Sequence, residues 1–392
     1  MKEDMRQERK PDLRPPKNVW FPGLNGLRFF AAMAVACSHV ELMKQYHGLP
    51  NAYDNLAVYE LGRLSVTLFF VLSGYLITWL LLVEKQREGT IAVKQFYTRR
   101  VLRIWPLYFL VVLASFLILP RLGAFHIPGL TDRIGASFGA TFPLFLLFLP
   151  QLALSIYDPV PFAEPAWSIG VEEQFYLLWP LLLKRTRRFV PLAIGVIVLT
   201  VGARYGALRM AQANRADAQA LQLWNRVINY LYFTRIECMA IGGLFAWVVF
   251  AKKRALLSFL YSRVTQLAVY AITAWLLVTD SGKPIFTYGW SSVCFGVLIL
   301  NVATNPRSLI KLPGRAFEFL GNISFSIYML HELAIQLVLA AGWRSNAALY
   351  GGSMLLTLAA ASACYLWFER PFLRLKARFA VVPSGEDARA QK

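Results

Sequence analysis

The sequence predicts an all-α fold, a polytopic membrane helix bundle of about ten transmembrane helices with one re-entrant or interfacial segment. Three observations carry this. Of 392 residues, 57% are hydrophobic and 16% charged, whereas soluble domains are roughly half apolar and about a quarter charged. The apolar residues fall into runs close to the roughly 20 residues that cross a bilayer core. The formal net charge of +19 is gathered in short segments between those runs, where the positive-inside rule places Lys and Arg on the cytoplasmic face. That distribution speaks against the nucleic-acid partner that so basic a chain would otherwise suggest.

Taken in order, residues 1–19 form a charged, Pro-containing tail, read as cytoplasmic. It is not a cleavable signal peptide, because no short apolar stretch with a small-residue cleavage site follows. Apolar runs then occupy 24–43, 64–83, 104–120, 141–157, 166–183, 189–207, 229–250, 260–279, 286–303, 317–341 and 348–368. Starting inside, the second run returns to the basic loop holding Lys85, Arg87, Lys94, Arg99, Arg100 and Arg103. If 141–157 also crossed, the clusters Lys184 to Arg188 and Lys252 to Arg254 would face outward. That segment holds Pro143 and Pro150 and runs into Pro159, Pro161 and Pro165, as a broken or folded-back element would. Ten crossings remain, with both termini cytoplasmic, a membrane domain over 20–370 and a second basic tail over 371–392. Cys37, Cys238, Cys294 and Cys364 lie within apolar runs, without the paired spacing of a metal site or disulfide framework.

Ionisable residues in lipid cost several kcal/mol and usually face a cavity. The first run carries Arg28 and His39, eleven residues apart. On a helix that spacing returns to within roughly 20° of the same face, about 16 Å further along. An imidazole there is a candidate general base; the structural reading, a snorkelling arginine and a carbonyl-capping histidine, is equally open. Ser73-Gly74 in the second run favours close helix packing over a nucleophilic serine, since no G-x-S-x-G elbow surrounds it. Arg100 and Arg103, at i and i+3, either fork around phosphate or set topology against anionic lipid. Trp167, Glu172, Glu173 and Tyr176 open the fourth crossing, and the two glutamates project about 100° apart, so at most one faces a given cavity squarely. Arg235 and Glu237 pair with each other or with neighbouring helices. His331 is either a second catalytic candidate or a satisfied structural histidine.

In this order the segments resemble acyltransferase family 3, multi-span membrane enzymes that O-acylate sugar-containing molecules. The matching pieces are the Arg-x10-His spacing of Arg28 and His39, Phe69 to Tyr75, Arg100 to Tyr108, Trp167 to Tyr176, Thr234 to Gly243 and Asn322 to His331. They cover roughly residues 20–370, with Ile169-Gly170 where Leu-Ser is common. The resemblance implies a bacterial inner-membrane location, a cytoplasmic acyl-CoA donor (acetyl-CoA above all) and a polysaccharide or glycolipid acceptor. It implies His39 as the catalytic base with Arg28 as its partner, Arg100 and Arg103 on the donor, and Glu172 or Glu173 as the catalytic carboxylate. Ser73, Trp167, Tyr176, Arg235, Glu237 and His331 are the supporting residues. The fused hydrolase-like domain of longer members does not follow the last run, which would leave acceptor choice to the membrane domain. No Gly-rich phosphate loop and no metal cluster is visible, so no metal is expected. A transporter is the main competing class, and it predicts inverted repeats, which the sequence does not show.

Overall fold

The computed structural model describes residues 20–279 and 284–382. The tail 1–19 and the end of the chain from 383 lie outside the described residues. Among the described residues every regular element is helical. The chain runs through α1 (Pro22–Tyr46), α2 (Leu56–Glu88), α3 (Val93–Leu113), α4 (Thr131–Leu146), α5 (Pro150–Ile156), α6 (Ala166–Arg185), α7 (Phe189–Ala213) and α8 (Ala218–Phe233). It continues with α9 (Ile236–Phe250), α10 (Arg254–Tyr261), α11 (Arg263–Val278), α12 (Pro284–Thr304), α13 (Arg315–Asn322), α14 (Ser324–Ala340), α15 (Asn346–Ala363) and α16 (Arg370–Ala377). A π-helical turn over Cys364–Glu369 joins the last two. Several starts carry the side-chain caps their sequences provide: Asn55, Asp217, Ser262 and Ser345 each accept from a backbone N–H in the first turn.

Six stretches are long and apolar enough to cross a membrane, and eight if two bent pairs, α10 with α11 and α13 with α14, each count as one. The protein is therefore a multi-pass membrane helix bundle. The remaining two of the ten expected crossings rest on α6 and α12. Glu172, Glu173, Lys184 and Arg185 lower the hydropathy of α6. The apolar part of α12, Tyr288–Thr304, is shorter than the rest. The 141–157 region is broken, as its prolines suggest. α4 ends at Leu146, Phe148 takes a left-handed conformation at φ 57°, and α5 starts on Pro150. The break is pinned from both sides. Phe148 stacks on Tyr108 of α3 at 4.4 Å, and its carbonyl accepts from Gln174 of α6 at 3.3 Å.

Two helices cross tightly at the centre, α2 on α9. A methyl on Gly74 would run into the backbone of Met239, and one on Gly242 into the carbonyl of Val71. Neither position has room for a side chain, the small-residue contact by which membrane helices approach closely. This crossing fixes Ser73, next to Gly74, toward the bundle interior. α1 packs against α2, α13 and α14, with Gly321 of α13 pressed on Asn25. Basic segments meet at one end of the bundle. Lys85 of α2 donates to the carbonyls of Leu183 in the last turn of α6 and of Thr186 just after it, and Arg99 of α3 donates to the Phe379 carbonyl at 2.7 Å. Tyr46, Glu164, His47 and Gln336 meet at the other end.

Candidate active site

A cavity of about 770 Å³ enters the bundle at the basic end, within the roughly 300–1,000 Å³ of small-molecule sites. α1 contributes Arg28, α2 Ser73, α3 Arg100 and Arg103, α6 Ser168, Glu172 and Tyr176, and α14 Tyr328. Arg28 makes no hydrogen bond or ion pair with another described residue. Arg100 lies over the rings of Phe96 and Tyr176 at 5.5 and 5.2 Å, and its Nε is buried without a partner. A buried guanidinium nitrogen without a hydrogen-bond partner is costly, and the ring faces beneath Arg100 offset part of that cost. Arg103 is engaged: it reaches Glu369 and the Asn322 carbonyl, each at 3.4 Å, while Ser326 donates to the same Glu369.

Glu172 and Glu173 separate as their angular spacing requires. Glu172 lines the cavity and accepts from the Tyr176 hydroxyl at 2.9 Å, and Tyr176 also bonds the Ser73 hydroxyl. Glu173 lies outside the cavity lining and accepts from the Trp105 indole at 3.1 Å. Arg235 and Glu237 do not pair with each other. Arg235 lies 3.7 Å from the Tyr288 ring centre and donates to Thr67, with Trp167 beside it. Glu237 accepts from Arg204 of α7 at 2.7 Å in a fully buried ion pair. Trp167, Arg235 and Glu237 are therefore packing residues, away from the cavity lining.

His39 is not part of the cavity lining either. Ser168 and Tyr328 line the cavity on its α6 and α14 side, with their hydroxyls bonded at 2.8 Å and the Tyr328 hydroxyl also 3.1 Å from the Pro165 carbonyl. Behind Tyr328, with ring centres 6.1 Å apart, stands His331. The histidines that the sequence set up as rivals are partners. His331 Nε2 is 2.9 Å from His39 Nδ1, and His39 Nδ1 is 3.0 Å from Glu332 Oε1. The tautomers follow from the partners. The Tyr328 carbonyl accepts at 2.8 Å, so His331 Nδ1 carries a hydrogen and its Nε2 accepts. His39 Nδ1 therefore carries the shared hydrogen, directed at His331 and Glu332. Its Nε2 keeps a free lone pair, and the side chain is 17% exposed against 3% for Glu332.

Glu332 is the residue that sequence reasoning missed, although it carries the same signal, a carboxylate inside an apolar run. Glu369, at the end of the last apolar run, carries that signal too; Ser168 and Tyr328 have no local feature that distinguishes them from packing residues. His39, His331 and Glu332 offer ligand atoms within 4.8 Å of one another; the hydrogen bonds just described account for that closeness.

The acyltransferase domain family matches residues 21–366. The O-acetyltransferase OatA of Staphylococcus aureus (strain NCTC 8325) is 28% identical over 94% of this chain and 60% of its own length. The acyltransferase MdmB of Streptomyces mycarofaciens is 25% identical over 95% of this chain and 97% of its own. YrhL of Bacillus subtilis, whose name refers to peptidoglycan O-acetylation, is 27% identical over 81% of this chain and 49% of its own. The chain thus spans less than two thirds of OatA and YrhL. No solved structure matches it. With the family pattern running through α1 to α15, the chain belongs to the acyltransferase domain family.

Proposed function

We propose that the chain is an inner-membrane O-acyltransferase that moves an acetyl group from cytoplasmic acetyl-CoA to a hydroxyl of a sugar-containing acceptor. One observation carries the reading. Two arginines that form no ion pair among the described residues, Arg28 and Arg100, line a cavity beside Glu172, and the cavity wall at Tyr328 backs onto a histidine pair in which His39 has a free Nε2. The inner arginines suit the donor's phosphates, and the Ser73, Tyr176 and Glu172 chain offers hydrogen bonds to its amide-bearing arm. At the far side Tyr46 donates to Glu164 at 2.9 Å, and Glu164 lies within electrostatic reach of His39, giving a polar approach for the acceptor.

The transfer follows from these positions. The acceptor hydroxyl attacks the thioester carbonyl as His39 Nε2 takes its proton. Glu332, against Nδ1, balances the imidazolium that forms. The C–S bond then breaks, and the thiolate leaves with the proton from Nε2, so the base is restored. Reaching His39 from the cavity requires the Ser168–Tyr328 bond to part. General-base catalysis contributes about 10²–10⁴-fold.

The test is CoA release from acetyl-CoA by purified protein supplied with membrane glycolipid. His39→Ala is expected to lower turnover at least 10²-fold while CoA binding persists. Retention of more than about a tenth of wild-type turnover is too small a loss for a general base and removes the assignment.

A further inference from the structure

The C-terminal basic segment reads in the sequence as a topology signal, yet the structure folds it across the cavity mouth. Arg99 Nη1 holds the Phe379 carbonyl at 2.7 Å, and Val382 is buried against Val83 of α2. α16 lies on α3, and Arg370, Arg374 and Lys376 enter the cavity lining together with Arg315 of α13. In all, eight cationic side chains and three carboxylates line the cavity. Most of the carboxylate charge has a use already: Glu84 faces Arg99 and the Ala92 N–H, and Glu172 holds Tyr176.

The cavity-lining arginines without a hydrogen bond or ion pair to a described residue fall into two sets. Arg28 and Arg100 form the inner set, near enough to feel each other's charge. Arg315, Arg370 and Arg374 form the outer one, on α13 and α16, whereas Arg28 and Arg100 stand on α1 and α3. Two separated groups of open guanidinium fit one extended ligand with two separated anionic groups. Topology control needs the charge on this side of the membrane, but it does not need the charge turned into a cavity.

We propose that the strap from Arg370 to Val382, with Arg315, is the nucleotide-side wall of the donor cavity, and that it selects a thioester bearing a phosphorylated nucleotide over the bare phosphopantetheine thioester. The proposal rests on the donor reading above and adds residues to it. In chemical terms the inner arginines meet the pyrophosphate beside the pantetheine arm. The outer arginines meet the phosphate on the ribose, at the far end of the molecule. No bond is made or broken at this wall.

The experiment compares the full chain with Arg370→Gln/Arg374→Gln, both purified in detergent, using CoA as the binding probe in calorimetry. Acetyl-CoA, acetyl-dephospho-CoA and acetyl-phosphopantetheine serve as donors. The double variant is expected to bind CoA and to use acetyl-CoA with affinity and KM worse by about tenfold, the low end for a charge-assisted hydrogen bond. Its kcat and its KM for the two truncated donors stay at wild-type values. Arg374→Lys in the single background recovers part of the loss. Equal CoA affinity in both proteins overturns the wall, as does an equal rise in KM for all three donors, which marks a merely structural strap. Should the variant bind CoA about tenfold more weakly while neither protein consumes acetyl-CoA, the wall stands and the acyltransfer reading falls. A wild type that binds no CoA overturns both.

Discussion

The hydrogen on His39 Nδ1 has two acceptors, Glu332 and the lone pair of His331, and this division gives the imidazole its orientation. In the proposed reaction a carboxylate does more than orient, since its charge would oppose the positive charge that appears on the ring as Nε2 takes a proton. Glu332→Gln keeps the size and one acceptor oxygen but removes that charge. It is expected to lower kcat about 10²-fold with little change in KM for acetyl-CoA, measured by CoA release. An unchanged kcat would leave His331 as the orienting group. Arg28 and His39 were legible in the sequence because each is an expensive residue inside an apolar helix. Glu332 was not, because its role depends on α14 crossing α1, and the neighbouring His331 drew the attention. The rivalry between the histidines dissolves for the same reason: their contact is tertiary, between residues 292 positions apart.

Among the elements, α2 and α9 form the crossing on which the interior rests. The buried Arg204–Glu237 pair ties α7 to α9 beside it. Removing one partner of such a pair leaves an uncompensated charge, at a cost of about 3–5 kcal/mol. Glu237→Ala is therefore expected to lower the thermal midpoint and the yield of folded protein in detergent. Glu237→Ala protein that remains folded should keep its KM for acetyl-CoA, because neither residue lines the cavity. A raised KM with unchanged stability would place Glu237 in the donor site instead. The long helices could be read from apolar runs and charge breaks, and the interruption at 147–149 from its prolines. The 60° bends between α10 and α11 and between α13 and α14 could not. Ser262, which caps α11, and the short α13 owe their geometry to the helices they pack against.

For the whole molecule, the basic ends agree with one another: the α2 and α6 termini, the α3 start and the C-terminal strap meet at one end of the bundle, and the cavity opens there. Ten crossings with that end cytoplasmic follow if α6 and α12 both span. Reporter fusions after Arg188 and after Arg254 are expected to read cytoplasmic, and an outward signal at either site refutes the arrangement. Charge alone suggested this topology in the sequence, but it could not show that the same basic residues line a cavity. The Ser168–Tyr328 contact has a consequence for membrane tightness. A passage that admits a thioester arm is wide enough for water, and a continuous file of water carries protons. Ser168 and Tyr328 bond to each other in the cavity wall, next to the Pro165 carbonyl, and the paired histidines stand behind them. In the transfer proposed above this contact would act as an insulator: an acyl group would be handed on by parting one hydrogen bond, with the ion gradient left charged.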